Sequence, residues 1–288
     1  MASMRDIKRR KESIQSTGQI TKAMKLVSTV KLQKAKGRAE STKPYFDCMY
    51  DTVAQILKKA GNIDHKYLQY DQNNKKKAVI VISSNRGLAG GYNSNIIKLI
   101  TGMDVEREDV IIYAVGRKAK DTLKRKGYII ERDYSEVINN ALYSDAMSIG
   151  KQVIQDYTEG KFGEIYLAYT EFKNTVTHIP KLIKLLPFVM EEKEDNAVTI
   201  DYLTLMNFEP NEEEALDMII PKYINSLIYG GIIESIASEN GARMQAMDSA
   251  TTNAETMIDE LSLKYNRARQ ASITQEITEI VAGASAIN

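Results

Sequence analysis

A glycine-rich stretch is the part of the sequence whose residue types could best bind a phosphate. It reads NRGLAGGYN over residues 85–93 and follows the apolar run AVIVIS at 78–83. A loop between a strand and a helix can present backbone N–H groups to an anion. Neither G-x-G-x-x-G nor G-x-x-x-x-G-K-[ST] occurs, however, and no acidic residue can be assigned to a ribose. The stretch is therefore predicted to be a tight turn that uses glycine for unusual backbone angles.

The other residues that could carry catalysis are scattered along the chain. There are two histidines, His65 and His178, and one cysteine, Cys48. Both histidines are expected to face solvent or to be structural rather than to act as general bases. One cysteine allows no intrachain disulfide, and with two histidines it makes a poor metal cluster. Ser83 and Ser84 lack the G-x-S-x-G context of a nucleophile. No active site, metal site or cofactor is predicted.

The charge is distributed unevenly, although the formal net charge is only +1. Residues 1–43 carry twelve lysines and arginines against three acids, whereas residues 191–217 carry ten acids against one lysine. A basic segment can meet nucleic acid, anionic lipid or an acidic protein surface. No nucleic-acid-binding module is visible, so an acidic protein partner is favoured over nucleic acid. No apolar run approaches the ~20 residues that span a bilayer, so direct membrane insertion is not expected.

Three segments with different patterns divide the chain. Residues 1–59 and 209–287 have helical spacing of apolar residues almost without interruption. Residues 75–190 alternate short strands with helices, which is typical of a mostly parallel sheet. A further strand from His178 to Phe188 contains two prolines and is expected at a sheet edge. The predicted strands are 78–83, 110–115, 128–132 and 164–169, and the predicted helices between them are 92–102, 116–126 and 142–159.

The two terminal helices are predicted to pack antiparallel as a coiled coil. Both are much longer than the mean helix of about 11–12 residues, and a compact domain separates them in the sequence. Four alanines spaced four apart, followed by methionines, give the second helix a stripe of small side chains that permits close approach. The fold class is thus α/β with long terminal helices: an antiparallel two-helix coiled coil plus a small, mostly parallel, Rossmann-like domain. The residues of the stripe are Ala242, Ala246, Ala250 and Ala254, with Met244, Met247 and Met257 beside them.

Both ends of the chain resemble the gamma subunit of the rotary F-type ATP synthase. The N-terminal segment reads IKRRKESIQSTGQITKAMKLVSTVKLQKA, in which TGQITKAM matches the family's T-x-x-I-T-K-A-M core. The C-terminal ASENGARMQAMDSATTNAETMIDELSLKYNRARQASITQEITEIVAGASA is similar to the family signature over roughly fifty residues. The middle SSNRGLAGGYN resembles S-D-R-G-L-C-G-G-[FY]-N, with Asn85 and Ala89 as departures.

The resemblance implies a central rotor shaft with no active site of its own. The coil would turn inside the hexamer of alpha and beta subunits, coupling ion flow to ATP synthesis or hydrolysis at the beta sites. The α/β foot domain would sit with the epsilon subunit on the c-ring. Carried over from the family, the contacts to the beta subunit would be Met24, Arg243, Arg269, Gln270, Thr274 and Glu279.

The resemblance also bears on the type of enzyme. The chloroplast form has an inserted segment with two cysteines, which this chain lacks, and no convincing mitochondrial presequence is present. A bacterial enzyme on the cytoplasmic face of the plasma membrane, with this subunit peripheral to it, is expected. Two alternatives stay open at this point: a nucleotide-binding enzyme that uses residues 87–91, and a nucleic-acid-binding coiled coil that uses the basic N-terminus.

Overall fold

The structure, a computed structural model, describes residues 4–60, 65–69, 74–188 and 212–287. Helix α1 runs from Met4 to Ala60 and continues through Pro44, and helix α5 runs from Glu212 to Ile287 and continues through Pro221. Of the acid-rich segment 191–217, residues 191–211 lie outside the described residues. Between the long helices, the described residues form five strands and three shorter α-helices. The strands are β1 (Lys77–Ile82), β2 (Val110–Val115), β3 (Ile129–Asp133), β4 (Glu164–Phe172) and β5 (His178–Leu186); the helices are α2 (Tyr92–Thr101), α3 (Arg117–Arg125) and α4 (Tyr143–Thr158).

The strands form one sheet in the order β3-β2-β1-β4-β5. The pairs β1–β2, β2–β3 and β1–β4 are parallel, and β5 pairs with β4 antiparallel. The predicted fifth strand is confirmed at an edge, where Pro180 lies opposite Thr170. Proline is compatible with an edge because its missing N–H need not bond to another strand. With the long terminal helices, this mostly parallel sheet confirms the predicted fold class.

Both faces of the sheet are covered by helices. On one face, side chains of β1 and β2 pack with Ile96, Ile100 and Leu123 of α2 and α3. On the other face, they pack with Ile149 of α4, with α5 and with the end of α1 around Val53. Strand β1 is buried on both faces, as expected for a central parallel strand, which explains why its sequence is a continuous apolar run.

The chain divides into two compact units. One, the coil unit, contains Met1–Thr29 and Arg243–Asn288; the other, the sheet unit, contains Val30–Ala242. Each long helix contributes residues to both units. The three segments predicted from the sequence, 1–59, 75–190 and 209–287, are a different division, and it stays a prediction.

Candidate functional site

The two helices of the coil unit contact each other along a seam with heptad spacing. On α1, the residues less exposed than their neighbours follow alternating steps of three and four from Met4 to Ser28. On α5, the same steps run from Met247 to Ser272. A period of 3.5 residues is the signature of a left-handed coiled coil. The seam residues are Met4, Ile7, Lys11, Ile14, Gly18, Thr21, Lys25 and Ser28 on α1, and Met247, Thr251, Ala254, Ile258, Leu261, Tyr265, Ala268 and Ser272 on α5.

Three pairs of residues fix the direction and register of the coil. A Cβ on Gly18 would lie 3.4 Å from the Cβ of Ala254. The hydroxyl oxygens of Thr21 and Thr251 are 2.7 Å apart, and Lys25 donates to Asp248 at 2.6 Å. Residue numbers rise on α1 as they fall on α5, so the helices are antiparallel.

The alanine stripe predicted for α5 coincides with this seam only in part. Ala254 is buried in the seam, whereas Ala246 and Ala250 are partly buried. A row spaced by four residues drifts away from a seam that repeats every 3.5 residues. Of the neighbouring methionines, Met247 is buried and Met257 is half exposed. The close approach arises from Gly18 and Ala254 rather than from the whole stripe.

The outward surface of the coil unit carries large apolar side chains. Ile20, Leu26 and Val27 of α1 are each more than half exposed. Towards its C-terminal end, α5 likewise exposes Ile277 and Ile280. Large apolar residues thus lie in the seam, as Ile14, Ile258 and Leu261 do, and on the outward surface as well, unlike in an ordinary amphipathic pair. A series of exposed apolar residues marks an interaction surface. The exposed set is Ile20, Leu26, Val27, Met257, Leu263, Ile273, Ile277, Ile280 and Val281.

The end of α5 extends beyond the described start of α1. The pairing of Gly18 with Ala254 and of Thr21 with Thr251 sets Met4 opposite Ala268. Residues 273–287 of α5 therefore have no described α1 residue beside them, and those up to Ser285 are exposed. This exposed end includes four of the apolar residues named above.

The six predicted contact residues fall into two groups on the coil unit. Met24 and Arg243 are partly buried. Arg269, Gln270 and Thr274 are exposed on consecutive turns near the end of α5, and Arg243 lies about 39 Å from Arg269 along the helix. Glu279 is also exposed and accepts a hydrogen bond from Gln275 at 2.8 Å.

Sequence reasoning missed the exposed apolar residues beside these polar ones. Ile273 and Ile277 lie near Thr274 on α5 and are about half exposed. Helical periodicity alone assigns such residues to a buried face, because it does not say which face meets the partner helix. The signal that could have identified them is the register of the coil, which places both residues beyond the described start of α1.

The glycine-rich loop is a structural turn whose polar groups bond within the protein. Asn93 Oδ1 accepts from the Ser84 N–H at 3.0 Å, and Ser84 Oγ donates to the Arg86 carbonyl at 2.6 Å. Gly90 has φ 53°, and Leu88, at φ 62°, shares the left-handed region that glycine adopts most readily. Asn85, where the family pattern has Asp, donates to the Ser135 carbonyl at 2.8 Å and accepts from the Arg117 N–H. An aspartate could accept but not donate at this position.

Helix α5 lies at the edge of the sheet where a doubly wound domain usually holds its ligand. Ligands in such folds bind at the carboxyl ends of the strands, where the strand order reverses. In this sheet the reversal falls between β1 and β4. Ala242 of α5 packs against Ala89 and Tyr92 of the glycine-rich loop, and Ser235 bonds to the end of β4. The position is filled by the protein's own helix, which argues against a nucleotide there.

The histidines belong to the packing of the sheet unit. His65 is buried, accepts from the Tyr67 N–H at 3.3 Å through Nδ1 and places Nε2 3.2 Å from Asp217 of α5. The expectation of a structural histidine is right for His65, and the alternative of solvent exposure is wrong. His178 contacts α5, since a Cβ on Gly241 would lie 2.9 Å from its Cε1.

Two buried carboxylates of the sheet unit are neutralised by lysines. Burial alone would raise the pKa of Asp156, but hydrogen bonds from Lys161 and Tyr113 outweigh it and hold the pKa below its ordinary value. Burial likewise opposes ionisation of Glu164, and bonds from Lys184 and Lys77 lower its pKa. Partners of opposite charge mark both carboxylates as structural ion pairs rather than as groups poised to exchange protons.

The described parts of the chain show neither a metal-binding cluster nor a membrane-spanning helix. Residues 4–60, 65–69, 74–188 and 212–287 contain no group of three or more His, Cys, Asp or Glu side chains that could hold a metal ion. None of the helices in these ranges is both long enough and apolar enough to cross a membrane.

Known proteins resemble this chain over its full length. The family model described as ATP synthase matches residues 3–287. A protein of Lachnoclostridium phytofermentans named ATP synthase gamma chain is 68% identical over 292 residues, covering 100% of both chains. One of Acetobacterium woodii named ATP synthase gamma chain, sodium ion specific, is 42% identical and covers 99% of both.

Among solved structures, a chain of the Euglena gracilis mitochondrial ATP synthase (OSCP/F1/c-ring, rotational state 3) has a TM-score of 0.70 at 18% identity. The match covers 99% of this chain and 94% of that chain, and at this identity it supports the fold. The family match and the relatives' identity over the whole length show that this chain belongs to the ATP synthase gamma-chain family, whose members are non-catalytic subunits of ATP synthase.

Proposed function

We propose that the coil unit is the part of this central-stalk subunit that the alpha and beta subunits surround. The subunit rotates within their hexamer and couples ion flow across the membrane to ATP synthesis or hydrolysis at the beta sites. The surface that we propose the alpha and beta subunits contact is that of the coil unit. The observation that carries it is the set of large apolar side chains, such as those of Val27 and Ile277, that the coil leaves exposed.

The outward apolar surface suits a rotating contact. Apolar contacts are non-directional, so they lose less than fixed hydrogen bonds when one surface turns past another. A rotor must also differ in its contacts at each angle, because equal contact with every state shifts no equilibrium. Two unlike helices, one of which continues beyond the other, supply that difference within the coil unit.

The six predicted residues would add directional contacts to this surface. Arg269 and Gln270 are exposed and can form charge-assisted or amide hydrogen bonds to a beta-subunit loop. Met24 and Arg243 would meet the hexamer about 39 Å away along the coil. Polar residues at the end of α5 would thus make contacts that differ with the rotor's angle, while the apolar residues would allow the surfaces to turn past each other.

The sheet unit would contact the subunits next to the membrane. We propose that the sheet unit meets the epsilon subunit and the c-ring, and that the subunit lies on the cytoplasmic side of a bacterial plasma membrane. The chain's identity to relatives from bacteria supports this location. The basic start of α1, including Lys8 and Arg9, is exposed and suits an acidic protein surface. The described helices offer no membrane-spanning element of their own.

Co-expression tests the proposal directly. The chain is expressed alone, and with the alpha and beta subunits, and ATP hydrolysis is measured in both preparations. We expect the isolated chain to hydrolyse no ATP, and the co-purified complex to show cooperative turnover that is lost when the chain is omitted. A low-resolution shape of the complex should show the coil unit inside the ring. Stable hydrolysis by the chain alone, or a coil that lies outside the ring, would overturn the assignment.

The nucleotide-binding alternative has a separate test. Calorimetric titration of the purified chain with ATP and ADP should show no binding in the micromolar range, because α5 fills the usual position. Micromolar affinity, lost on substitution in the glycine-rich loop, would restore that alternative. A salt-dependent shift of DNA or RNA would do the same for the nucleic-acid alternative.

A further inference from the structure

Helix α5 has no exposed side along the stretch that crosses the sheet. Every residue from Tyr223 to Ala242 is buried or partly buried. Four residues at spacings of four, three and four contact the sheet or its loops: Gly231, Ser235, Ser238 and Ala242. They form one face of the helix, which we name the sheet-facing row.

Two serines of the sheet-facing row bond to the backbone of one residue in β4. Ser235 Oγ accepts from the Thr170 N–H at 3.1 Å, and Ser238 Oγ donates to the Thr170 carbonyl at 3.1 Å. Both serines are fully buried and Thr170 is nearly so. Pairing between β4 and β1 ends at Ala168, so the hydroxyls satisfy backbone groups that have no neighbouring strand on that side.

The ends of the row are fitted closely to the sheet unit. A Cβ on Gly231 would lie 3.1 Å from Leu167 Cδ2 and 3.4 Å from Ile82 Cδ1, so the helix backbone rests almost directly on the sheet. Ala242, at the other end, packs with Ala89 and Tyr92. These two contacts leave little room for α5 to shift against the sheet.

We infer that the sheet-facing row is the joint through which α5 and the sheet transmit torque to each other. This inference rests on the proposed rotor function, in which these contacts would bear the torque. Apolar packing alone resists rotation weakly, because one ridge of side chains can replace another. Rotation at this joint would instead leave the buried N–H and C=O of Thr170 without partners, which a buried backbone group rarely tolerates. The two hydroxyl bonds therefore fix the rotational position of the helix.

The joint is tested in the complete enzyme reconstituted into phospholipid vesicles. ATP hydrolysis and ATP-driven ion uptake are measured together, and so is the ion gradient at which net uptake stops. For the variant Ser235→Ala/Ser238→Ala we expect hydrolysis to continue, the number of ions taken up per ATP to fall, and the limiting gradient to fall with it. A variant that is only less stable would yield fewer active complexes but keep the same number of ions per ATP.

Ser226→Ala is the matched control. Ser226 is also buried on α5, but its hydroxyl donates to the Lys222 carbonyl of the same helix at 2.9 Å. It should leave the ions taken up per ATP unchanged. The single variant Ser238→Ala, with folding checked by circular dichroism, serves if the double variant does not assemble. If the assembled serine variants keep both the number of ions taken up per ATP and the limiting ion gradient, the inferred joint is refuted. If omitting this chain left the number of ions taken up per ATP unchanged, the rotor function itself would be refuted.

Discussion

Thr21 and Thr251 place their hydroxyl oxygens 2.7 Å apart across the seam of the coiled coil. Each hydroxyl also lies within bonding distance of a carbonyl on its own helix, Gly18 for Thr21 and Met247 for Thr251. A hydroxyl has a single proton, so at any moment one threonine donates along its helix and the other donates across the seam. A polar pair at one layer of a seam favours a single register.

This pair predicts a non-additive response to substitution. Thr21→Val or Thr251→Val alone removes the bond across the seam and should lower the free energy of unfolding by about 1 kcal/mol. The double variant replaces both hydroxyls by methyl groups and should cost less than the sum of the two. Urea unfolding of the full chain, analysed as a double-mutant cycle, measures the coupling. Strictly additive effects would show that the two hydroxyls do not interact.

Gly18 allows the closest approach between the helices of the coil. An added Cβ would stand 3.4 Å from the Cβ of Ala254, which is ordinary contact, so Gly18→Ala should be neutral or stabilise the chain by up to about 1 kcal/mol through helix propensity. Gly18→Leu must separate the helices and should destabilise by about 1–3 kcal/mol. Gly37, also on α1 with nothing within 4 Å, is the control: its leucine variant should be tolerated. Equal effects at both positions would contradict the close approach.

The sequence predicted the sheet well because its strands are buried. Val79, Ile80 and Val81 are fully buried between two helical layers, which requires a continuous apolar run that is easy to recognise. The edge position of β5 followed from Pro180, because proline is poorly tolerated in a central strand. The boundaries agree to within one or two residues for most of the predicted strands and helices, with β4 extending further, to Phe172.

The seam of the coil was harder to predict because each helix carries apolar residues on more than one face. Gly18, Thr21 and Ser28 lie in the seam, whereas Ile20 and Val27 face outward. Hydrophobic spacing assumes that the apolar face meets the partner helix, and this assumption fails where another surface is to be bound. The contacts of Ser235 and Ser238 with Thr170 were also beyond prediction, since they depend on which helix crosses the end of β4.

Gly150 of α4 lies against α5 within the sheet unit. A Cβ at this position would overlap Oδ1 of Asn225, so Gly150→Ala requires the two helices or the amide to move. We expect a loss of about 1–3 kcal/mol in the free energy of unfolding. Asn225→Ala should restore much of it in the double variant, because Oδ1 has no hydrogen-bond partner among the described residues. Gly230→Ala, with nothing within 4 Å, is the control and should not destabilise. Failure of Asn225→Ala to compensate would refute this contact.

Arg269 should matter for coupling but not for folding. Its side chain is exposed on α5, so Arg269→Ala should leave the urea midpoint of the isolated chain unchanged. In the assembled enzyme the variant should reduce ATP-driven ion uptake or the torque of single rotors, because it removes a proposed charge-assisted contact to the beta subunit. Lys264→Ala, exposed on the same helix, controls for loss of a positive charge. A lowered midpoint would make Arg269 structural, and full activity would remove it from the contact.

His178 gives the sheet unit a dependence of stability on pH. Both ring nitrogens are buried without a hydrogen-bond partner among the described residues. Burial lowers the pKa of His178 below its ordinary value of 6.5, and the influence of the nearby backbone at Thr175 opposes the shift only partly. The folded chain therefore keeps this imidazole neutral at a pH where the unfolded chain binds a proton.

The sign of the effect follows from that difference. Because the unfolded state takes up the proton first, the stability present above pH 6.5 falls as the pH is lowered below 6.5, by at most about 1.4 kcal/mol per pH unit. The fall ends once the pH passes the lower pKa of the folded state. His178→Phe, which cannot be protonated, should flatten the slope of unfolding free energy between about pH 6.5 and 5.5. His65 is retained in both proteins, so the difference isolates His178. An unchanged slope would mean that the buried imidazole is protonated as readily in the folded chain as in the unfolded one.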